Sequence, residues 1–193
     1  MALMRSPEEL ARPDTVLLQL ARRSIEHGLV HREPLPVDCD AVPAELRELA
    51  ATFTTLRIDR DLRGCCGTLV AQRPLAEDVA SSAFKAAFHD TRFRPVREAE
   101  LGVIRLEVAV LSSPEPIQVT GEDDLLARLV PGEDGLVIID GMRRATFLPK
   151  VWEQLPEPRR FVAALKKKCG LREDYWSNGL AFQRYRTSTY REA

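Results

Sequence analysis

The stretch LRGCCG, residues 62–67, places two adjacent cysteines between two glycines, with an arginine in front of them. Three kinds of chemistry or structure use such residues. A thiol beside a guanidinium ionises more readily and becomes a better nucleophile. Paired thiols can ligate a metal ion. Small residues also let a strand lie close against a neighbouring element.

We expect this stretch to be a β-strand, in which neighbouring side chains point to opposite faces. Cys65 and Arg63 then share one face, and Gly64 and Gly67 leave room for a substrate or another backbone. Cys65 is therefore a candidate catalytic thiol, with Arg63 as its activator or as a binder of an anionic substrate, and both glycines are candidate binding positions. The alternative, that Cys65 is a small buried side chain in a strand packed on a helix, stays open.

A metal site at the two cysteines is disfavoured. Adjacent strand residues diverge, so Cys65 and Cys66 would rarely bind one ion, and His27, His31 and His89 lack characteristic ligand spacing. The sequence contains four cysteines but no CxxC pair. We therefore expect no metal, no cofactor and four reduced thiols.

Two further sets of polar residues are candidates for binding. Asp90 and Arg92 follow a predicted helix and can bracket a polar ligand, although the same pair can simply hold a turn. Glu107 shares a predicted strand face with Arg105. It is a candidate acid–base or binding group if that face lines a cleft, and otherwise one half of a solvated cross-strand ion pair.

Basic residues cluster at 143–144, 159–160 and 166–168. We interpret these runs as solvated faces, the last of them near a helix C-terminus, where positive charge is favoured. RNA binding through them is weakly supported, because the formal net charge is -1. Sequence motifs of phosphate loops, dinucleotide sites, zinc proteases and α/β-hydrolases are absent.

Alternating helices and strands must position these residues. Apolar spacing predicts helices over 14–27, ended by Gly28, and over 73–90, 122–130 and 157–169. Strand patterns cover 51–58, 62–70, 102–112, 135–149 as a hairpin, and 180–190. Residues 52–58 and 62–70 are expected to pair antiparallel. The predicted core face of the central strand, under the helix at 75–89, consists of Ile104, Leu106, Val108 and Val110.

This order of elements predicts the α+β class, with a mixed, mostly antiparallel sheet and packed helices. The 193 residues, of which 45% are hydrophobic and 30% charged, fit one globular domain. No apolar run reaches the length of a signal peptide core or of a membrane span. We therefore expect a cytoplasmic protein without membrane contact.

Five segments together resemble the AMMECR-type domain, also called AmmeMemoRadiSam system protein A. They occur in order over roughly residues 14–190 and are 62–69, 73–96, 106–117, 134–156 and 175–176. The family pattern reads L-R-G-C-[IV]-G, so Cys66 stands in place of an aliphatic residue and is expected to face the core. The resemblance implies a single domain over 1–193, built as two unequal lobes around a cleft. It also implies a genomic association with a Memo-like protein and a radical-SAM protein.

The resemblance implies no particular reaction, so two hypotheses follow. The first is a binding or accessory module that works with Memo-like and radical-SAM partners. The second is a cysteine-dependent enzyme that modifies a nucleic acid or a small molecule, with Cys65 in the cleft. We favour the module, because Cys65 has no evident histidine base in the sequence. An exposed thiol with nearby charge would favour the enzyme, and a sealed thiol would favour the module.

Overall fold

The computed structural model describes residues 13–192, which form two compact units. The first unit comprises the described residues up to 111 and those from 188 to 192, and the second comprises residues 112–187. The second unit is therefore an insertion in the sequence of the first. Residues 1–12 and 193, which the single-domain prediction includes, lie outside the described residues.

The α+β class is confirmed, with the strands arranged in two open antiparallel sheets. The described helices are α1 (Pro13–His31), α2 (Leu75–Phe88), α3 (Glu122–Arg128) and α4 (Pro158–Lys168). The described strands are β1 (Leu49–Ile58), β2 (Asp61–Gly67), β3 (Arg73–Pro74), β4 (Ile104–Leu111), β5 (Glu115–Ile117), β6 (Gly135–Asp140), β7 (Arg143–Phe147), β8 (Leu180–Tyr185) and β9 (Thr187–Arg191). None of the helices in this part of the chain has the length and apolar character needed to cross a bilayer.

The sheet of the first unit has the strand order β2-β1-β4-β9, and β3 pairs with the beginning of β1. The predicted hairpin is confirmed, because β1 and β2 pair antiparallel. Thr55 lies opposite Cys65, and Thr54 lies opposite Cys66. The second strand ends at Gly67 rather than at residue 70, since the chain turns away there.

One face of this sheet is covered by α1 and α2. Leu56 of β1 and Leu106 of β4 join Val79 and Ala83 of α2 in one buried cluster, together with apolar residues of α1. The predicted core face of β4 is confirmed, with Ile104, Leu106 and Val108 almost fully buried and Val110 packed at the margin of the cluster. This packing leaves the alternate residues of β1 and β4 on the opposite face.

The end of α1 and the last strand segment differ from the sequence prediction. Gly28 does not end α1, which continues to His31 and stops where Arg32 takes a left-handed φ of 62°. Gly28 instead packs against α2, because a Cβ there would lie 2.5 Å from the Phe88 ring. The expected strand over 180–190 is two strands, β8 and β9, which belong to different sheets.

The returning strand β9 is fastened to the first unit by Glu192. The Glu192 carboxylate accepts hydrogen bonds from Arg22 of α1 and, at 3.0 Å, from the backbone N–H of Leu106 in β4. Arg22 also donates to the carbonyls of Leu101 and Ile104 at 2.7 and 2.9 Å. One guanidinium therefore ties together α1, β4 and the residue that follows β9.

The sheet of the second unit has the order β5-β8-β6-β7. The predicted hairpin is confirmed as β6 and β7, and Gly141 supplies the left-handed φ of 58° in its turn. Residues 115–117, which lie outside the predicted strands, form β5. The core is centred on Trp152, whose ring stacks on Phe161 of α4 at 3.8 Å between centroids.

Candidate functional site

The face of the first sheet that α1 and α2 leave uncovered carries a line of polar side chains. Thr55 of β1 lies between Cys65 of β2 and Glu107 of β4 in the strand register. Thr55 Oγ1 donates a hydrogen bond to Cys65 Sγ at 3.4 Å. Arg191 Nε of β9 donates to Glu107 Oε2 at 2.8 Å. We term Cys65, Thr55, Glu107 and Arg191 the polar row, because they lie on the four successive strands β2, β1, β4 and β9.

The two cysteines lie on opposite faces of β2, as the alternation predicts. Cys66 packs against the cluster under the helices, and burial raises the pKa of its thiol. Cys65 is partly buried on the other face, and its backbone N–H donates to Asp90 Oδ2 at 2.8 Å. Among the described residues, no three His, Cys, Asp or Glu side chains are arranged to hold a metal ion.

Arg63 does not follow the simple alternation of the strand. The pairing register shifts between Leu56 and Arg57, so Arg63 is the extra residue of a β-bulge. Its Nε and Nη2 atoms donate to the two carboxylate oxygens of Glu100 at 2.7 and 3.1 Å. These bonds lower the pKa of Glu100. The guanidinium that we expected to activate Cys65 is thus engaged by a carboxylate, because the bulge re-aims it.

Asp90 and Arg92 form a second two-bonded pair, with 2.9 Å from Nε to Oδ1 and 2.7 Å from Nη2 to Oδ2. Arg92 holds the pKa of Asp90 well below its usual range, and the Cys65 N–H acts in the same direction. The structure therefore brings this loop pair to the backbone of Cys65. Asp90 also caps an N–H group of β2, the edge strand of its sheet, which would otherwise be open to pairing.

Neighbouring backbone atoms occupy the space that a side chain would need at Gly64 and at Gly67. A Cβ on Gly64 would lie 2.2 Å from the carbonyl oxygen of Ala86 in α2. A Cβ on Gly67 would lie 2.2 Å from the carbonyl oxygen of Thr52 in β1. The clearance that we expected for a substrate is used by the protein's own main chain, which favours the packing interpretation of both glycines.

Sequence reasoning missed one pair on this face. Arg57 of β1 lies directly opposite Arg105 of β4, two positions along each strand from Thr55 and Glu107. Arg105 was expected to accompany Glu107, but Glu107 bonds to Arg191. The only signal in the sequence is an arginine at the end of each predicted strand, and the register that brings the two together cannot be read from it.

In the basic run at 166–168, Lys167 and Lys168 are exposed as predicted, but Lys166 is not. Lys166 is fully buried, and its Nζ donates to Glu122 Oε2 at 2.9 Å and to the Glu173 carbonyl at 3.1 Å. Lys168 Nζ donates to the Thr146 carbonyl at 3.0 Å. Of the other runs, Arg159 pairs with Asp123 at 2.8 Å. The runs at 143–144 and 159–160 are exposed, as predicted, so Lys166 alone of the three runs is part of a core.

Known proteins are similar to this chain in sequence and in fold. A family model described as AMMECR1 matches residues 18–190. A protein of Thermofilum pendens is 34% identical over 180 residues, which is 88% of this chain and 84% of that protein. Protein MJ0810 of Methanocaldococcus jannaschii is 32% identical over 182 residues, 92% of this chain and 89% of its own. The crystal structure of the uncharacterized protein PH0010 from Pyrococcus horikoshii matches with a TM-score of 0.81 and 31% identity, covering 91% of this chain and 89% of that one.

Proposed function

Since this chain belongs to the AMMECR1 family, we propose that it is a binding or accessory module that works in the cytoplasm with a Memo-like protein and a radical-SAM protein. The binding surface in this proposal is the strand face with the polar row. The family resemblance suggests the partners, and the arrangement of side chains on the sheet suggests the surface.

The observation that carries the proposal is the state of the charges around Cys65. Arg63 is bound through two hydrogen bonds to Glu100, and Arg92 is bound in the same way to Asp90. Asp90, whose carboxylate is the one nearest to the Cys65 backbone, has a strongly lowered pKa and is therefore a poor base. A nucleophilic thiol needs a base or an unshared positive charge beside it. The charged groups around Cys65 instead hold one another, and the Cys65 backbone, in fixed positions.

The polar row suits recognition because its members are held before any partner arrives. Thr55 is almost fully buried and hydrogen-bonded to Cys65, and Glu107 is hydrogen-bonded to Arg191. Side chains fixed in this way lose little conformational entropy on binding. A sheet face also places them more rigidly than a loop would.

Binding of purified Memo-like and radical-SAM proteins from the same source, measured by calorimetry, tests the proposal. Cys65→Ser keeps the size of the side chain, and we expect it to change the dissociation constant by less than about twofold. Cys65→Arg introduces a bulky cation on the face, and we expect it to weaken binding at least about tenfold. Met142→Arg, in the fully exposed turn of the second unit, is the matched control. Absence of binding to both proteins, or a loss with Met142→Arg alone, would overturn the proposal.

The second candidate is a cysteine-dependent enzyme that uses Cys65. It is favoured by the partial exposure of this thiol and by the electrostatic interaction between Cys65 and the Arg92 guanidinium. This hypothesis requires Cys65 to react with a thiol reagent at pH 7 faster than a free cysteine peptide does. Labelling of the folded protein, followed at each cysteine by mass spectrometry over a range of pH, measures that rate.

The other thiols provide internal references for the labelling experiment. Cys66 should be slow, because burial raises the pKa of its thiol. Desolvation and the hydrogen bond to Glu77 raise the pKa of Cys39, so it too should react slowly at pH 7. A Cys65 rate at or below that of the free peptide rejects the enzyme and leaves the module.

A further inference from the structure

The arginine pair on the uncovered face has an arrangement that sheets usually avoid. Arg57 and Arg105 are directly opposite each other on β1 and β4. Cβ atoms in such pairs are about 5 Å apart, and like charges in this position repel. Among the described residues, neither guanidinium has a carboxylate within 4.0 Å; the partners of both are main-chain carbonyls.

The two guanidinium groups are held by one end each. Arg57 Nη1 donates to the Arg60 carbonyl at 3.1 Å. Arg105 Nη1 donates to the carbonyls of Gly102 and Ile104, both at 3.3 Å. The edge formed by Nε and Nη2 makes no hydrogen bond in the described part of the chain for either residue. That edge presents two parallel N–H groups, the arrangement that binds two oxygens of one anion.

We infer that Arg57 and Arg105 form a subsite for the phosphate monoester group of a ligand that binds the strand face. The inference rests on the proposed binding function of that face and names the chemistry of its ligand. A phosphate monoester carries close to two negative charges at neutral pH, which match two adjacent guanidinium groups. A single carboxylate would leave one of the two positive charges unbalanced.

The position of the subsite relates it to the polar row. Thr55 and Glu107 stand two residues along β1 and β4 from the arginines and on the same face. Two residues of a strand span about 7 Å. A ligand whose phosphate lies between Arg57 and Arg105 is therefore within about 7 Å along the strands of the partly exposed Glu107 side chain.

The other arginines near Cys65 do not offer the same chemistry. The Nε–Nη2 edge of Arg63 is occupied by Glu100, and that of Arg92 is occupied by Asp90. An anion would have to displace a carboxylate to bind either of them. Arg57 and Arg105 can accept an anion without breaking an ion pair, and binding would remove their mutual repulsion.

Titration of the full ¹⁵N-labelled chain with inorganic phosphate, at constant ionic strength, tests the subsite. The side-chain Nε–Hε resonances of Arg57 and Arg105 should shift saturably, and phosphate should raise the melting temperature. The double variant Arg57→Gln/Arg105→Gln should weaken phosphate binding at least about tenfold, the equivalent of one charge-assisted hydrogen bond. Arg60→Gln, an exposed arginine in the adjacent turn, is the matched control and should bind phosphate as the parent does.

Three outcomes would overturn the inference. They are the absence of saturable shifts at the two arginines, phosphate binding by the double variant equal to that of the parent, and equal affinity for acetate, which would assign the subsite to carboxylates. Arg105→Gln alone, at an exposed side chain, decides the question if the double variant does not fold. Phosphate binding without partner binding would reject the proposed function only, and partner binding without phosphate binding would reject the subsite only.

Discussion

Two sets of basic residues, one in each unit, have different partners. In the second unit, Lys166 is fully buried and neutralised by Glu122, and Arg159 is paired with Asp123. In the first unit, Arg57 and Arg105 face each other without a carboxylate within 4.0 Å among the described residues. The three basic runs all lie in the second unit and would make it the anion-binding one. The pairing of Lys166 shows that part of this charge belongs to the core of the second unit, whereas Arg57 and Arg105 on the strand face of the first have no carboxylate partner among the described residues.

The largest change in the free energy of unfolding is expected at the buried face of β4, the strand that carries Arg105. Leu106 lies between Arg105 and Glu107 in sequence but is almost fully buried under the helices. Leu106→Ala should lower the free energy of unfolding by about 2–5 kcal/mol, through lost burial and the cavity that remains. Urea unfolding measures this, and Val103→Ala, at a half-exposed side chain just before β4, is the control. An unchanged free energy of unfolding for Leu106→Ala would mean that this face of β4 is not part of the core.

The next effect tests the buried cation of the second unit. Lys166→Ala removes the partner of Glu122 and the stem that fills the core. We expect a loss of about 2–3 kcal/mol, below the range for fully buried pairs because Glu122 keeps some contact with water. Lys167→Ala, at the exposed neighbour, should change the free energy of unfolding by less than about 0.5 kcal/mol. Equal losses at the two positions would remove the contrast between the units.

A smaller, pH-dependent effect is expected at Asp90. Arg92 holds the folded-state pKa of Asp90 well below its usual value. The carboxylate therefore stabilises the fold fully above about pH 4, and this contribution declines as the pH falls through the folded-state pKa. Asp90→Asn should cost about 1–2 kcal/mol at pH 7, with Arg92 contributing little because it is exposed.

Unfolding of the parent and of Asp90→Asn at pH 7 and at pH 3 checks the sign. The difference between the two proteins should shrink at the lower pH. Asp61→Asn, at an exposed position of the same edge strand, is the control and should show no such trend. A difference that grows toward low pH would mean that Asp90 does not stabilise β2 as an anion.

The smallest effect is expected at the arginine pair itself. Arg57→Gln relieves the repulsion from Arg105, so the free energy of unfolding should stay the same or rise by up to about 0.5 kcal/mol. The gain should be larger at low salt, where exposed charges are less screened. Thermal unfolding at two salt concentrations measures it, beside Arg60→Gln. A decrease in the free energy of unfolding of more than about 1 kcal/mol would mean that Arg57 stabilises the fold. The difference drawn between the basic residues of the two units would then not hold.

The sequence predicted those features that depend on local pattern. Alternation in LRGCCG was enough to place Cys65 and Cys66 on opposite faces, and apolar spacing located β4 and the buried face of α2. The register of the hairpin could not be foreseen. The bulge at Arg63 depends on how β1 and β2 pair, so the partnership of Arg63 with Glu100 was hidden, as was the opposition of Arg57 and Arg105.

The predictions for the end of α1 and for Lys166 were wrong for a related reason. Gly28 resembles a helix end in isolation, but close packing against Phe88 requires a glycine within the last turn of α1. The lysines at 166–168 resemble a solvated face, yet Lys166 is buried because Glu122 and the Glu173 carbonyl lie where its ammonium ends. Contacts with residues distant in sequence determine the environment of Gly28 and of Lys166. Such contacts cannot be read from a local sequence pattern.

The late return of β9 has a consequence for biosynthesis. Glu107 of β4 and Arg191 of β9 are 84 residues apart in sequence, and the whole second unit leaves the ribosome between them. At ordinary synthesis rates of about 5–20 residues per second, the outer edge of β4 waits roughly 4–17 s for its neighbour. An unpaired strand edge is a template for association with other chains. The nascent protein is therefore most exposed to misassembly during this interval, which ends when Glu192 meets Arg22.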